Sequence, residues 1–575
     1  MYEQDFEAGR VKQSSTIEVV IENLEASIQV ERGTALSQLA EQYYNSLPQD
    51  SRHPILGALV NNVVCSLEYK LYNPKTIRFF DYTHRQGYRV YQNSLCLMLS
   101  KAVHDCYPHA QLFIDHSIPY GFYCRIEGAL SDEGRPLPSV DVAQAVSARM
   151  KILQELNLPF ECRTVLLKDA LEIVQQLDMP ETVRLLKGLH CLYIDLQFLG
   201  NTVHYTSSSL APTTGCLSQW DFYPYEEGFA LSFAALAGEE NTRNDRTSKL
   251  FQIFQEHHRW ADLMHVPTIV DYNEMVRNHQ ENHLIQVAEA LHEKKYAEIA
   301  EQVNQRRDDV RMILLAGPSS SGKTTSCRRL AVQLSVLGFD VKQISLDDYF
   351  VDRSRTPRLP NGEFDFESVD ALDIPLLNDH LQRLFQGEEV QIPTFDFLKG
   401  DPYFSGKTLQ LASNSILLVE GIHALNPKLT AQIDDSKKFK VYVSALTQIA
   451  IDSQNVIRSS DNRLIRRMVR DNNFRGWDAF NTLHRWGEVQ RGEYLHIFPY
   501  QEEADVMFNS ALLYELGVLK VFAEPLLKRV PQDCEEYAEA RRLLDFIELI
   551  EPIDAKFIPP TSIMREFLGG SSFDY

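Results

Sequence analysis

Nine consecutive residues carry the clearest chemistry in this chain. Gly317-Pro318-Ser319-Ser320-Ser321-Gly322-Lys323-Thr324 fits the pattern G-x-x-x-x-G-K-[ST], and Thr325 follows it. Glycines at the two ends of such a loop let the backbone turn sharply and bring its N–H groups onto phosphate oxygens. Lys323 would place a point charge on the β/γ-phosphates of a nucleotide, and Thr324 a hydroxyl on Mg²⁺. Two acidic segments follow at useful places. Asp347-Asp348-Tyr349-Phe350 comes after Val341-Lys-Gln-Ile-Ser-Leu346, which reads as a short strand, and Glu420 ends Ile416-Leu-Leu-Val-Glu420. A carboxylate at the first position can take the proton of a substrate hydroxyl, and Glu420 can hold Mg²⁺ directly or through water. Arg458, Arg463, Arg466, Arg467, Arg470 and Arg475 crowd into 18 residues. Arg467 and Arg470 are three apart and share a helix face, suited to neutralising a transferring phosphoryl group.

These residues need particular elements behind them. Met312–Leu315 is a run of four apolar residues and reads as a buried parallel strand; Ser326–Leu334 has apolar residues at helical spacing. Strand, glycine loop and helix therefore come in the order a phosphate cradle requires, with the helix N-terminus pointing at the anion. Val341–Leu346 and Ile416–Val419 read as further strands of an open α/β sheet, in which ligands collect at the carboxyl ends. Ala504–Asn509, with Ile497–Tyr500 before it, reads as the last strand region, and residues 511–549 as helical. The apolar tail Ser562–Gly570 is expected to dock on the body. Residues 281–308 form one or two amphipathic helices leading into this domain.

Residues 312–510 resemble the uridine kinase and phosphoribulokinase family. Asp347–Phe350 resembles that family's aspartate segment after the second strand, and Glu363–Asp373 its Phe-Asp segment before a helix. Ile392-Pro-Thr-Phe-Asp-Phe397 resembles its Pro-x-Tyr-Asp-Phe segment, and Arg463–Asp471 its lid helix. The resemblance implies Asp347 as general base, with Lys323, Arg467 and Arg470 acting on the phosphates. It implies Asp347, Tyr349, Phe395 and Asp396 at the acceptor, and Thr324 and Glu420 at Mg²⁺. ATP is the implied donor and a nucleoside the implied acceptor. The family's histidine beyond Pro-x-Tyr-Asp-Phe is missing from Leu398–Tyr403, and Phe395 replaces tyrosine. Lost hydrogen bonds change which base fits, so a nucleoside is better supported than uridine itself.

The N-terminal half resembles a different family. Thr16–Glu22 and Ala26–Glu31 alternate apolar with polar as half-buried strands do, a helix pattern spans Gly33–Tyr44, and Ile55–Cys65 reads as strand, turn, strand. This order resembles the TGS domain of threonyl-tRNA synthetases. Ile77–Tyr82, Val90–Val103 and Gly121–Ile126 resemble the editing-type domain that follows it there. That domain builds a metal site from H-x-x-x-H and a later C-x-x-x-H, whereas Asn93, Leu97 and Gln197 stand at the corresponding positions. An amide and an isobutyl group do not replace imidazole and thiolate on zinc. A scaffold without that metal chemistry is expected.

Composition bounds the rest. The chain has 575 residues, 44% hydrophobic and 24% charged, with net charge −22. No global field favours nucleic acid or an anionic membrane. No apolar run approaches a membrane span, no signal-peptide pattern opens the sequence, and nine scattered cysteines lack a C-x-x-C pair. A cytoplasmic location is expected. The organisation expected is a TGS-like β-grasp module (1–78), an α+β editing-like domain (79–235) and a helical linker (236–308). An α/β P-loop kinase domain with a parallel sheet (309–510) and a helical extension (511–575) complete it. The expected activity is ATP- and Mg²⁺-dependent phosphorylation of a nucleoside 5′-hydroxyl. A sugar or sugar-phosphate acceptor, or an ATP-switched tRNA-binding or regulatory protein, are the alternatives.

Overall fold

The computed structural model describes residues 15–49, 52–118, 121–131, 134–206, 208–233, 248–359, 362–396, 399–447 and 449–574. The chain forms two compact units. One comprises Met1–Thr242 with Ser453–Asn455 and Val530–Arg542; the other comprises Arg243–Asp452, Val456–Arg529 and Leu543–Tyr575.

In the second unit a five-stranded sheet has the order Asp340–Ser345, Ser415–Glu420, Met312–Ala316, Lys438–Ser444, Val506–Asn509. Every neighbouring pair is parallel. Met312–Ala316 lies in the middle and is buried throughout, which explains its unbroken apolar run. Its side chains alternate between two cores. Met312, Leu314 and Ala316 meet Leu377, Leu381 and Leu384 of the helix Ile374–Phe385. Ile313 and Leu315 meet Cys327, Leu330 and Leu334 of the helix Lys323–Val336. Tyr296, Ile299 and Val303 of the helix Glu281–Gln305 join this second core. That segment is thus one helix and an integral wall of the unit rather than a linker. Its Tyr296 hydroxyl lies 2.9 Å from Ser326 Oγ at the start of the loop's helix.

Two further expectations need adjusting. Phe498–Glu503 is a 3₁₀ turn, and only Val506–Asn509 pairs as the last strand. Residues 511–549 hold two helices, Glu515–Leu527 and Glu536–Glu548. The apolar tail docks as expected: Ile563 and Phe567 belong to the second core.

The first unit opens with a sheet of order Ala26–Glu31, Thr16–Ile21, Lys75–Phe80, Gly57–Val60, Val63–Cys65. Thr16–Ile21 pairs parallel with Lys75–Phe80. Leu36, Leu39 and Ala40 of the helix Leu36–Ser46 cover its apolar face. The second part surrounds the helix Arg85–Cys106. A four-stranded sheet runs Trp220–Tyr225, Gly228–Phe233, Gly121–Glu127, Gln111–Ile118, and a three-stranded one Glu161–Leu166, Tyr193–Leu199, Thr202–His204. Leu97 is fully buried. Gln197 stands between Cys162 and His204 across the three strands, its amide donating to Cys162 Sγ at 3.4 Å.

Candidate active site

The phosphate loop leaves the central strand at Ala316 and enters its helix at Lys323. Gly317 is required by close approach: a methyl group there would lie 1.9 Å from the Val443 carbonyl oxygen of the neighbouring strand. Ser320 and Gly322 take left-handed conformations, with φ of 59° and 79°. Such alternation turns successive N–H groups toward one point, the geometry of an anion nest. Lys323 donates to the Pro318 carbonyl at 2.9 Å across the mouth of the loop. Burial lowers the pKa of its ammonium, while Glu420, Asp347 and Glu566 pull it back up.

The two acidic segments meet the loop. Glu420 ends its strand buried, accepting from Ser345 Oγ at 2.9 Å and facing Thr324 Oγ1 at 3.5 Å. Gly421 allows this strand end to come close to the Asp347 turn, since a methyl there would lie 2.6 Å from Leu346 Cβ. Burial, reinforced by Asp347, raises the Glu420 carboxyl to about 7. A buried acid beside a threonine hydroxyl at the end of a phosphate loop is a donor set suited to a hard divalent cation. Thr324 and Glu420 therefore fit Mg²⁺. Asp347 lies in the 3₁₀ turn Leu346–Tyr349 at the carboxyl end of its strand, within electrostatic reach of both Lys323 and Glu420.

The arginine-rich helix is Ser459–Phe474, and its arginines divide into two sets. Arg463 and Arg466 are structural. Arg463 pairs with Glu493 (2.7 Å, Nη2 to Oε2) and donates to the Ser319 carbonyl. Arg466 pairs with Glu515 and donates to the Ser510 and Ser320 carbonyls. Glu493 also accepts from the Ser319 N–H at 3.1 Å, tying loop to helix. Arg467, Arg470 and Arg475 instead share one carboxylate, Asp471, at 3.2, 3.0 and 3.5 Å. Arg467 also donates to Ser319 Oγ at 2.7 Å. Three guanidinium groups thus crowd around one carboxylate beside the loop. The crowding shows in Arg475, whose pKa falls to about 10, chiefly through Arg470.

Among the expected acceptor residues the structure makes one correction. Tyr349 is 1% exposed and its hydroxyl meets His380 Nδ1 at 2.9 Å, so it is a core residue. The tight turn that presents Asp347 to the site sends the side chain two positions later into the sheet's apolar layer. Phe395 lies half-buried at the end of the strand Val390–Asp396, its ring 5.6 Å from that of Phe350. Asp396 accepts from the Lys399 N–H at 3.1 Å and so braces the hairpin formed with Asp401–Leu409. Phe397 and Leu398 lie outside the described residues.

Arg485, Glu488 and His496, which pattern reading did not single out, join Arg467 and the Glu363–Asp373 segment at the site. A cleft is lined by Phe366, Glu367, Arg467, Arg485, Glu488 and His496, among others. Glu367 has a buried Oε2, and burial lifts its carboxyl to about 7. Arg485 stacks over Trp477 at 4.9 Å and faces Phe366 at 5.8 Å. Gly492 admits Glu367 against the helix Ala479–His496: a methyl there would lie 2.2 Å from Glu367 Cβ.

Comparison with known proteins covers part of the chain. Residues 312–513 match the model of the phosphoribulokinase/uridine kinase family. A uridine kinase of Schizosaccharomyces pombe is 32% identical over 188 residues, which are 32% of this chain and 37% of that protein. A uridine kinase of Deinococcus deserti is 28% identical over 197 residues, 34% of this chain and 86% of that protein. The mouse uridine-cytidine kinase-like 1 is 29% identical over 196 residues, 34% of this chain and 32% of that protein. Among solved structures, D-glycerate 3-kinase of Cryptococcus neoformans is 15% identical with a TM-score of 0.21, covering 44% of this chain and 87% of that one. A likeness of that size carries no argument about function.

Proposed function

We propose that the second unit transfers the γ-phosphoryl group of ATP to a nucleoside 5′-hydroxyl. The observation that carries this reading is the convergence of Asp347, Glu420 and Thr324 on Lys323 at the carboxyl end of a parallel sheet. The loop N–H groups and Lys323 would hold the donor phosphates, and Thr324 and Glu420 would hold Mg²⁺. Mg²⁺, when bound, neutralises charge on the β- and γ-phosphates. Asp347 accepts the proton of the acceptor hydroxyl as its oxygen attacks phosphorus in line; the bond to the β–γ bridging oxygen breaks and ADP leaves. Arg467, Arg470 and Arg475 stabilise the charge on the transferring group. Positioning and electrostatics supply most of the rate, because little covalent chemistry falls to the protein. Phe395 offers a face on which a base can stack.

Arg485 and Arg491 on the same cleft favour a second reading, an acceptor that already carries a phosphate, such as a sugar phosphate. Comparing KM for nucleosides with KM for sugar phosphates tests the two. Arg485→Ala is expected to raise KM for a phosphorylated acceptor by more than tenfold and to affect a nucleoside less.

For the first unit we infer a TGS-like module followed by an editing-like scaffold without zinc chemistry. The strand order, the single parallel pair and the placement of Leu97 and Gln197 support it. A cytoplasmic protein without a membrane partner fits the same reading; no described helix is long and apolar enough to cross a membrane.

A further inference from the structure

The helix Lys323–Val336 starts with N–H groups that have no carbonyl partner within the helix. One of them is already taken. The Thr325 N–H donates to Glu566 Oε2 at 3.0 Å, and the Thr325 hydroxyl donates to the same oxygen at 2.7 Å. Glu566 comes from the short helix Arg565–Leu568. That segment is built into the unit. Ile563, Met564 and Phe567 are fully buried. Ile563 lies directly on the loop, since a methyl group at Gly322 would be 2.6 Å from its Cγ2. Arg466 faces the Phe567 ring at 5.1 Å, and Asn473 donates to the Phe567 carbonyl at 3.0 Å. Arg565 donates to the carbonyls of Ala555 and Ile558 at 2.9 and 2.6 Å. The position of the Glu566 carboxylate is thus set by a packed scaffold.

In a loop of this type the lysine serves the β- and γ-phosphates, the following threonine serves the cation, and backbone N–H groups cradle the α- and β-phosphates. Thr325 is the next residue, so its two donors face the phosphate nearest the nucleoside. A carboxylate on them is one anion seated where another belongs. We propose that Glu566 is a built-in competitor of the donor's α-phosphate, through which the C-terminal segment sets donor affinity. The proposal rests on the reading of residues 317–325 as the donor site. Glu566 is only half-buried, so its side chain can swing to solvent while Ile563 and Phe567 stay docked. Its charge also acts on Lys323 and Glu420, which disfavours a triphosphate further.

The test is calorimetric titration of the full chain with MgATP, using wild type, Glu566→Gln and Glu566→Asp, each with and without Lys323→Ala. Thermal melts without nucleotide serve as the folding check. Glu566→Gln is expected to bind MgATP about tenfold tighter than wild type. Glu566→Asp keeps the charge but is one methylene shorter, and is expected to bind tighter than wild type by a smaller factor. MgATP affinity that needs Lys323 but is unchanged or weaker in Glu566→Gln overturns the proposal alone. A gain in Glu566→Gln with none in Glu566→Asp assigns the effect to charge at a distance and also overturns it. Affinity indifferent to Lys323→Ala overturns the donor-site reading and the proposal together.

Discussion

In the proposed mechanism Asp347 and Lys323 have separable roles, and single substitutions should show it. Asp347→Asn keeps the size of the side chain and removes the base, so kcat should fall by roughly 10²- to 10⁴-fold with little change in KM for ATP. Lys323→Ala removes a charge that acts on the transferring phosphate, and turnover should fall by at least about 10²- to 10³-fold with the fold intact by circular dichroism. Glu367 gives a pH prediction. Burial raises its folded-state pKa to about 7, above the ordinary carboxylate value. The folded state therefore keeps a proton that the unfolded chain releases, and its contribution to stability is lost as pH rises from about 4.5 through 7. Glu367→Gln has no such proton to lose. Its melting temperature relative to wild type should rise between pH 5 and pH 8; a constant difference would contradict the assignment. At this scale the sequence was informative wherever a motif dictates geometry. The loop, Asp347 and Glu420 were legible because strand-end acids behind a glycine loop have few other arrangements. Tyr349 was misplaced because adjacency in sequence says nothing about which way a 3₁₀ turn sends each side chain.

The helix Ser459–Phe474 shows what element-level reading can and cannot do. Its arginine density pointed to phosphate chemistry, but density alone does not separate arginines that hold the loop from arginines that meet a ligand. The partners decide: Glu493 and Glu515 lie on two other helices, far away in sequence. Glu493 links Arg463 and the Ser319 N–H, both buried. Glu493→Ala leaves the buried Arg463 guanidinium without its carboxylate and the Ser319 N–H without its acceptor, and should destabilise this unit by about 3–5 kcal/mol. Denaturant titration followed by the fluorescence of Trp477 and Trp486 would measure it, and a loss below about 1 kcal/mol would show that the link is not structural. The helix Glu281–Gln305 looked like a linker because its polar face is long. Its apolar positions Tyr296, Ile299 and Val303 match a core that only the folded sheet supplies.

At the level of the whole molecule, a unit with a glycine-rich phosphate loop and an N-terminal unit for which we propose a TGS-like fold share one chain of net charge −22. Among the described residues no group of three or more His, Cys, Asp or Glu side chains is placed to hold a metal. Protein purified without a His-tag should carry well under one equivalent of zinc by mass spectrometry, and its melting temperature should not respond to a chelator. Stoichiometric zinc would restore a metal role for the first unit. The same charge predicts no salt-sensitive association with tRNA in filter binding.

The central claim is phosphoryl transfer from ATP to an acceptor hydroxyl through Asp347. The most direct test is a coupled ADP-release assay with MgATP and a panel of nucleosides, sugars and sugar phosphates, run on wild type and Asp347→Asn. The account predicts that a nucleoside stimulates ADP release in the wild type and that Asp347→Asn does not respond. Release that no acceptor raises above the basal rate, or an equal response in Asp347→Asn, would contradict it.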